Sequence, residues 1–502
     1  MKRKITFMNM IGYACINFLG SGSQAIISGF LMFFYTQFCN IGPAKAGMIF
    51  TITRLMDAVL NPLVGSLSDN FGKTVLGKKF GRRRSFTLIG IPLVLIVFPM
   101  LWTTGHSYGF YFVLNLIWEM TFTLVLVTGS TLPAEMATTA ADKTKLVSAK
   151  QYFGQFSSAI ATTFPAFFIA RLGKNDPTGY FYAGITYAVM MAISLVVFYA
   201  FTFERDPKEV HVVETKSFGE TMRKMIQDIP SAMQIKSFRL HAAMMLLIGI
   251  YKNLASGVFT YFVVYCLSLS AVEAGYITGS SQLISILAVT ITIGLCYKFG
   301  GPKAFNVAAV VVGVTCLGYV GLTLLEGSSI LVPALIVVAT VNFMGRAACD
   351  YIPVFQLPFM ADIDEAVTMQ RREGIFSGAN GLLSKVASAS EAFILGVILE
   401  ASGFVKGEAI QPQVAIHTIT IMTVAVPVIL LFLCYLAARR LKLTKETHKL
   451  LVDEVNRIKA GGDKDAVTQE AKKAIEDLTG YAYENCFGNN NVGYREKTVV
   501  SA

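Results

Sequence analysis

The chain has 502 residues, of which 54% are hydrophobic and 15% are charged, and its mean hydropathy is +0.56. Long uncharged runs recur along its whole length, which excludes a soluble globular protein and predicts a polytopic α-helical membrane protein. The net charge of +11 comes from bases in short segments between these runs, so nucleic acid is not an expected partner.

Twelve apolar segments are each long enough to cross a hydrocarbon core of roughly 30 Å. Polarity does not alternate within them, which excludes a transmembrane β-barrel. The first segment is too long for a signal peptide and lacks a small-residue cleavage site, so we expect it to remain as a span. The predicted spans are 8–38, 43–68, 85–103, 108–136, 146–170, 178–203, 240–268, 273–297, 304–325, 329–360, 373–400 and 413–438.

Lysine and arginine are distributed unevenly between the two sets of loops. One set contains 26 of them, whereas the opposite set and its adjoining helix ends contain four. Bases concentrate on the cytoplasmic side of multi-pass proteins, so both termini are predicted to lie in the cytoplasm, with the chain in the inner (plasma) membrane. The base-rich segments are 1–7, 70–84, 137–150, 204–239, 298–303, 361–372 and 439–442.

The longest internal loop is charged and separates the spans into two groups of six. We therefore predict an N-terminal half at 1–203, a cytoplasmic central loop at 204–239, a C-terminal half at 240–442 and a charged cytoplasmic tail at 443–502. GSLSDNFG after the second span and GLCYKFGGPK at the end of the eighth form a weak internal repeat. Two six-helix halves related by an axis along the membrane normal are the architecture of the major facilitator superfamily.

Two helical segments with charged composition are predicted in the tail, at 444–459 and 464–479, followed by a polar end. We interpret the tail as a solvated helical appendage with a disordered end, and a regulatory or docking role is the alternative. The eight cysteines are scattered without a CxxC pair, so no disulfide framework or metal site is expected. The loops carry no nucleotide-binding motif and no nucleophile elbow, so we expect neither an enzyme nor a cofactor.

Polar residues on the second span stand out from their apolar surroundings. Arg54, Asp57 and Asn61 are spaced i, i+3 and i+7, so they share one helix face. A charged residue deep in a membrane helix is costly unless it is paired or hydrated, so it indicates a functional site.

Several separate motifs resemble the glycoside–pentoside–hexuronide:cation symporter family. RxxDAxxNPxxGxxxD in the second span is the most specific, and the following loop ends in GRRR. LMFFYT, LPAEM, YIPVFQLPFMADIDEA, RREGIFSG and GLLSKVASA also match, so the resemblance covers about residues 10–440. It implies a secondary transporter that moves a sugar or glycoside inward with H⁺, Na⁺ or Li⁺.

The resemblance implies that the cation site lies around Asp57. Asn61 occupies the place where the family pattern has a second aspartate, so either a proton on Asp57 or Na⁺ shared with Asn61, Thr53 and Thr128 is expected. The structural alternative is that Asp57 only pairs with Arg54 or Lys385. Lys385 aligns with a family lysine near both ion and sugar, and a buried lysine needs an acid partner.

The expected sugar site departs from the family pattern. Ser21 and Val125, or a close neighbour, replace two sugar-binding aspartates, and extra bases suit an anionic sugar such as a uronide or oligogalacturonide. Arg346 and Asp350 either pair at i, i+4 or serve the substrate. Glu119 either pairs with a base or carries a proton, and Trp118 either packs or stacks on a sugar. The substrate-binding candidates are Arg54, Ser21, Gln24, Trp118, Glu119, Gln151, Tyr152, Lys252, Asn253, Arg346, Asp350 and Lys385.

A cytoplasmic gate is expected at the loop between spans two and three and at its counterpart before span eleven. The superfamily loop latches the two halves when the transporter faces outward, and the alternative is that its bases only fix orientation. The gate candidates are Gly65, Asp69, Gly81, Arg82, Arg83, Arg84, Asp362, Asp364, Arg371 and Arg372.

Two other functions fit the same fold. A eukaryotic branch that resembles this family moves lysolipids, which would require an apolar groove open to the bilayer. A sugar sensor without net transport would require an output domain larger than this tail. We expect a monomer whose partners are the bilayer and a small-molecule substrate.

Overall fold

The computed structural model describes residues 5–137, 140–173, 176–204, 229–370, 372–490 and 492. Within these ranges the chain folds into α-helices joined by short 3-10 and π turns, with no β-strand. The long helices are α1 (Phe7–Phe38), α2 (Pro43–Asn70), α3 (Arg84–Met100), α4 (Tyr108–Ser130), α5 (Ala140–Leu172), α6 (Thr178–Phe201), α7 (Lys236–Cys266), α8 (Ala271–Phe299), α9 (Gly301–Thr323), α10 (Leu331–Thr368), α11 (Glu373–Ala401), α12 (Gln413–Arg440), α13 (Lys445–Lys459) and α14 (Gln469–Thr479).

Helices α1 to α12 correspond one to one with the predicted spans. In the described part of the chain, eleven of them are long and apolar enough to cross a membrane, and α3 is a shorter apolar helix of 17 residues. At 1.5 Å per residue, α3 is about 25 Å long, close to the hydrocarbon thickness. The predicted all-α architecture is therefore confirmed. Most of the predicted central loop, residues 205–228, lies outside the described residues.

Helix α10 is longer than its predicted span. It continues to Thr368, eight residues beyond the predicted end at 360. Asp362 and Asp364 therefore lie in the last two turns of a helix, and the connection to α11 is only a few residues long. The tail described below packs against these turns.

The first six helices meet the last six mainly where α2 packs along α11 and where α5 packs along α8. Hydrogen bonds join them at one end of the bundle, which we call the closed end and define as residues 36–47 and 392–407. There the Ala44 N–H donates to Glu400 at 2.9 Å, and the Gly407 N–H donates to the Thr36 carbonyl at 3.1 Å. Lys406 donates to the Asn40 carbonyl at 3.0 Å.

Two glycines let α2 and α11 approach closely at the closed end. A Cβ on Gly47 would lie 2.5 Å from the Ala392 carbonyl oxygen, and one on Gly396 would lie 2.6 Å from the Pro43 carbonyl oxygen. Both distances are shorter than any ordinary Cβ contact, and both contacted atoms belong to backbone. Small residues of this kind allow membrane helices to pack backbone to backbone.

The tail is not the solvated appendage that the sequence predicted. Helices α13 and α14 form close to the expected positions, but they pack on the last turns of α10 and the start of α7. The N–H groups of Phe487 and Gly488 donate to the carbonyls of Ala366 and Val367 at 2.8 and 2.9 Å. The prediction failed because the apolar residues of each tail helix form a narrow stripe within a charged composition. This stripe is buried: Leu451, Val455, Ile475 and Leu478.

The polar end of the tail is ordered as far as Asn490. Tyr483 and Cys486 are 2% and 0% exposed, and Asn490 donates from its side chain to the Val367 carbonyl at 2.8 Å. Ion pairs hold the tail to the same helix end, because His448 contacts Asp362 at 2.9 Å and Lys459 contacts Glu365 at 2.5 Å. The predicted disorder is therefore wrong for 485–490. Residues 491 and 493–502 lie outside the described residues.

Candidate functional site

Two ion pairs cross the interface between α2 and α11. Asp57, which is 0% exposed, contacts Nζ of Lys385. One turn earlier on α2, Arg54 donates to Glu391 at 3.0 Å and to the Ser388 carbonyl at 2.7 Å. The i, i+3 spacing on α2 places acid and base on one face, and this face packs along α11.

This geometry decides between the two proposed partners of Asp57. Its partner is Lys385, whose side chain is 25% exposed, and Arg54 pairs elsewhere. Within the described chain, no hydrogen-bond donor serves Oδ1 of Asp57, although this oxygen is buried. A buried carboxylate oxygen without a donor is costly, so it favours a proton or a cation at this position.

Glu391 is a residue of this site that the sequence analysis missed. It is 4% exposed and lies six residues after Lys385 in α11. The available signal was a single glutamate within the apolar run of the eleventh span. Its position opposite Arg54 depends on how α2 packs against α11. The spacing of residues within one helix gives no information about this packing.

Glu119 on α4 is a third buried carboxylate beside these pairs. It is 6% exposed and close enough to Lys385, Asp57 and Arg54 to interact electrostatically with each. In the described part of the chain, no base lies within ion-pair distance of it. Of the two alternatives for Glu119, a direct pair with a neighbouring base does not form in this structure.

These residues form a charge network that we define as Asp57, Glu119, Glu391, Arg54 and Lys385. It contains three carboxylates and two bases, and four of the five are less than 9% exposed. If every group were ionised, the network would carry one net negative charge in a nonpolar environment. Such a charge is costly, so the network favours uptake of one positive charge, either as a proton or as a metal cation.

The two hydroxyls proposed as cation ligands lie in α2 and α4. Thr53 donates to the Ile49 carbonyl at 2.9 Å, and Thr128 donates to the Leu124 carbonyl at 2.8 Å. Both residues are 1% exposed, and their oxygen lone pairs remain available as acceptors. Asn61 is partly buried one turn beyond Asp57 on α2.

A second group of polar residues lies where α7 faces α10 and α11. Lys252 contacts Asp350 at 2.8 Å, with both side chains about 40% exposed. Arg346 instead lies over the Phe343 ring, 4.1 Å from its centroid, so the i, i+4 pair considered from the sequence does not form. Asn253 donates to the Ser388 hydroxyl at 2.9 Å, in the turn of α11 that Arg54 also contacts.

The remaining substrate candidates lie on α1, α4 and α5. Ser21 and Gln24 are partly buried in α1, and Gln151 and Tyr152 are exposed on α5. In the part of the chain that the structure describes, none of these four side chains hydrogen-bonds to the charge network. Val125 is buried and lies where a Cβ on Gly90 would contact it.

Trp118 packs inside the first six helices. It is 1% exposed, and its ring lies 4.9 Å from that of Phe98. Among the described residues, no acceptor lies within hydrogen-bond distance of its Nε1. This packing favours the structural interpretation of Trp118 over stacking on a sugar.

The gate candidates contact their own groups of six helices. Gly81 has a φ of +95°, which ends the short helix Val75–Phe80 in a conformation that favours glycine. Arg82 and Arg83 pair with Glu135 at 2.6 and 2.8 Å. The N–H groups of Arg82, Arg83 and Arg84 all donate to Glu204, at 2.7–2.9 Å.

In the last six helices, Arg372 donates to Asp364 at 2.9 Å, and Asp362 contacts His448 of the tail. A latch between the two groups of helices stays a prediction for a conformation in which this end is closed. Gly65 has open space around its Cα. Arg371 and the side chain of Asp69 lie outside the described residues.

Comparison with known proteins relates this chain to sugar transport proteins and carriers. The family described as MFS/sugar transport protein matches residues 12–445. The isoprimeverose transporter of Lactiplantibacillus pentosus is 24% identical over 467 residues, covering 90% of this chain and 92% of that transporter. A glucuronide carrier protein homolog of Escherichia coli (strain K12) is 20% identical, with coverages of 91% and 97%.

A solved structure supports the same fold. The crystal structure of a D-xylose-proton symporter superposes with a TM-score of 0.58 over 84% of this chain and 97% of that chain. At 16% identity this similarity shows the fold alone. The twelve spans therefore adopt the major facilitator fold.

Proposed function

The chain belongs to the MFS/sugar transport protein family and is a multi-pass membrane symporter for a sugar or glycoside, and we propose that it couples each sugar to one monovalent cation bound at Asp57. The observation that carries this proposal is the charge network, in which two ion pairs cross the α2–α11 interface and a third buried carboxylate, Glu119 of α4, lies beside them. One bound cation neutralises it.

Coupling follows from where the network lies. Its ion pairs join the first six helices to the last six, so a cation at Asp57 competes directly with Lys385 for the carboxylate. Occupation of the site therefore changes the contact that holds the two groups of helices together. Alternating access requires such a link between ligand binding and the relative position of the halves.

The cation is either H⁺ or Na⁺. Asp57 and Glu119 can each take a proton, whereas Na⁺ requires several oxygens, for which Asn61, Thr53 and Thr128 are the proposed ligands. Binding is reciprocal, because a cation that tightens sugar binding is itself bound more tightly in the presence of sugar.

We place the binding site for the sugar beside the network, along Asn253, Lys252 and Asp350. Asn253 and the Lys252–Asp350 pair offer amide, ammonium and carboxylate groups at partly exposed positions, and sugar hydroxyls bind groups of these kinds. A neutral glycoside is the first candidate, in line with the isoprimeverose transporter among the relatives.

An anionic uronide is the second candidate, supported by one observation. Lys252, Lys385 and Arg54 each have a carboxylate partner, but Arg346 contacts an aromatic ring and, within the described residues, has no carboxylate at ion-pair distance. A guanidinium of this kind suits a substrate carboxylate. The glucuronide carrier homolog among the relatives agrees with this candidate.

Transport by proteoliposomes tests the proposal. Purified protein is reconstituted and offered a panel of labelled neutral glycosides and uronides under separate Na⁺ and H⁺ gradients. We expect accumulation of one substrate class that collapses when one of the two gradients is dissipated. Uptake of labelled lysolipid would support the lipid-transporter alternative instead. Sugar binding without uptake under either gradient would support the sensor alternative.

Orientation is a further part of the proposal. The bases at 70–84, 298–303 and 439–442 support cytoplasmic termini in the inner (plasma) membrane, with the closed end facing outward. Cysteine-accessibility labelling from each side of sealed vesicles tests this assignment.

A further inference from the structure

A cavity of about 520 Å³ lies at the junction of α7 and α12, away from the charge network. Five bases and one leucine line it: Lys236, Arg239, Leu240, Arg439, Arg440 and Lys442. Two of the bases come from the first turn of α7, and the other three come from the last turn of α12 and the residues after it. The cavity is therefore built by segments about 200 residues apart in the sequence.

Within the described ranges, the positive charge in this cavity has no carboxylate to neutralise it. Among the described residues, no carboxylate lies within ion-pair distance of any of the five bases. Several other bases at the same end of the bundle are paired, as Arg82 is with Glu135, Arg372 with Asp364 and Lys459 with Glu365. Orientation in the membrane requires bases in this region but not their convergence on one cavity, where they repel one another.

The cavity lies at the level where the lipid-facing surface ends. Phe432, Leu433 and Leu436 on α12 are 58%, 45% and 37% exposed, one to two turns before Arg439 and Arg440. Large exposed apolar side chains on a membrane helix face acyl chains, so the bases that follow them lie at headgroup depth. A ligand of this cavity therefore combines an anionic head with an apolar body.

We propose that this cavity binds the phosphate-bearing headgroup of an anionic membrane lipid. Arg439 and Arg440 offer forked N–H donors that suit phosphate oxygens, and Lys236 and Arg239 approach from the opposite helix. Basic pockets between membrane helices on the cytoplasmic side bind headgroups of this kind. The bound lipid joins the start of α7 to the end of α12.

The same lipid would stabilise the docked tail. The Ser237 hydroxyl donates to the Leu478 carbonyl at 2.5 Å, and Gly480 packs beside the Lys236 side chain. Anything that fixes the first turn of α7 thus also fixes the surface on which α14 lies. This inference is independent of the transported substrate.

Lipid binding to the full-length protein tests the proposal. Wild type, Arg439→Gln/Arg440→Gln and the control Lys78→Gln/Lys79→Gln are purified and titrated with phosphatidylglycerol and, separately, phosphatidylcholine, with binding read by native mass spectrometry and by the thermal unfolding midpoint. The control pair is well matched, since it also comprises two adjacent exposed bases in the last turn of a helix.

We expect wild type and the control to bind phosphatidylglycerol and to unfold at a higher temperature with it, with no such effect of phosphatidylcholine. The arginine double variant is expected to bind phosphatidylglycerol at least about tenfold more weakly. Arg439→Lys/Arg440→Lys keeps the charge and is expected to bind with intermediate affinity, which separates lost binding from misfolding.

Two outcomes would overturn the inference. Unchanged affinity of the glutamine double variant for phosphatidylglycerol would show that the lipid binds elsewhere. Equal stabilisation of wild type by inorganic phosphate, at concentrations that displace phosphatidylglycerol, would show that the cavity takes a soluble anion instead.

Discussion

Arg54 on α2 and Glu391 on α11 form a buried ion pair of 3.0 Å, one helical turn from the pair between Asp57 and Lys385. Each helix thus contributes one acid and one base, and each acid pairs with the base of the other helix. The two pairs hold the same interface, but Glu119 interacts more strongly with Lys385 and Asp57 than with Arg54, and among the described residues it has no base at ion-pair distance. This asymmetry makes the functions of the residues separable by mutation.

Asp57→Asn should abolish cation-driven accumulation of substrate and retain exchange. The amide keeps the size of the side chain but has no negative charge and binds no proton, so the cation loses the charge that holds it at this position. Uptake under a gradient and substrate counterflow are measured in the same proteoliposomes. If the variant still concentrates substrate above the external level, Asp57 is not the coupling site.

Glu119→Gln is expected to weaken the dependence of transport on the cation. It leaves two carboxylates and two bases in the network, which is then neutral without a bound cation. The cation concentration that gives half-maximal uptake should rise about tenfold or more, while counterflow persists. Glu326→Gln, which changes an exposed glutamate that accepts a hydrogen bond from Ser268, is the control. Equal shifts in both variants would exclude a specific role for Glu119.

Glu391→Gln should destabilise the protein by about 3–5 kcal/mol, because it leaves the Arg54 guanidinium buried without its carboxylate. The double variant Arg54→Gln/Glu391→Gln removes both charges and is expected to lose less. Thermal unfolding in detergent compares the two variants with wild type. A double variant that is less stable than the single one would contradict the view that the isolated charge causes the loss.

Cys486 should react very slowly with a maleimide at pH 8 in the folded protein. It is 0% exposed, and burial raises the pKa of its thiol to about 11, so little thiolate forms at this pH. Tyr483→Ala, which removes the neighbouring buried ring, should make the thiol reactive by releasing the tail. Rapid labelling of Cys486 in the wild type would contradict the docked tail and support the solvated appendage predicted from the sequence.

The internal packing of the tail should weaken in acid through Glu454. Hydrogen bonds from Arg457, at 2.7 and 2.8 Å, and from Tyr483 hold the pKa of this carboxyl below its ordinary value of 4.5. A lowered pKa means that the stabilisation is complete at neutral pH and is lost as the pH falls through the lowered value. The contribution is about 2 kcal/mol, typical of hydrogen bonds to a charged group.

Hydrogen–deuterium exchange of α13 measures this effect. At pH 7, Glu454→Gln should show less protection than the wild type, and the difference should shrink as the pH falls below 4.5. Asp453→Asn, which changes the adjacent exposed acid, is the matched control. A constant difference between wild type and Glu454→Gln across this range would rule out protonation of Glu454 as the cause.

The family, the twelve spans and the burial of Asp57 were predictable because each depends on local sequence. A span is marked by an apolar run of sufficient length, and a charge within such a run is conspicuous. The Asp57–Lys385 contact was also predictable, since a buried lysine requires an acid and few were available.

Other features depend on tertiary packing and were not predictable in this way. Glu391 opposes Arg54 only because α2 and α11 pack at a particular register, and Asp350 pairs with Lys252 of α7 although Arg346 is four residues away on its own helix. The docked tail was missed because a narrow apolar stripe has little effect on the composition of a charged segment. A base cluster such as the one at the α7–α12 junction is likewise dispersed in the sequence.

The contact of Gly47 with Gly396 has a consequence for the resting state of the transporter. A methyl group at either position would force α2 and α11 apart at that end. The free-energy difference between the two forms of the transporter therefore depends on both positions having no side chain. Gly47→Ala should act as a steric wedge that shifts the population toward the form in which the closed end has opened. Evolution could thus adjust which side of the membrane the carrier faces without altering any residue that touches ion or sugar.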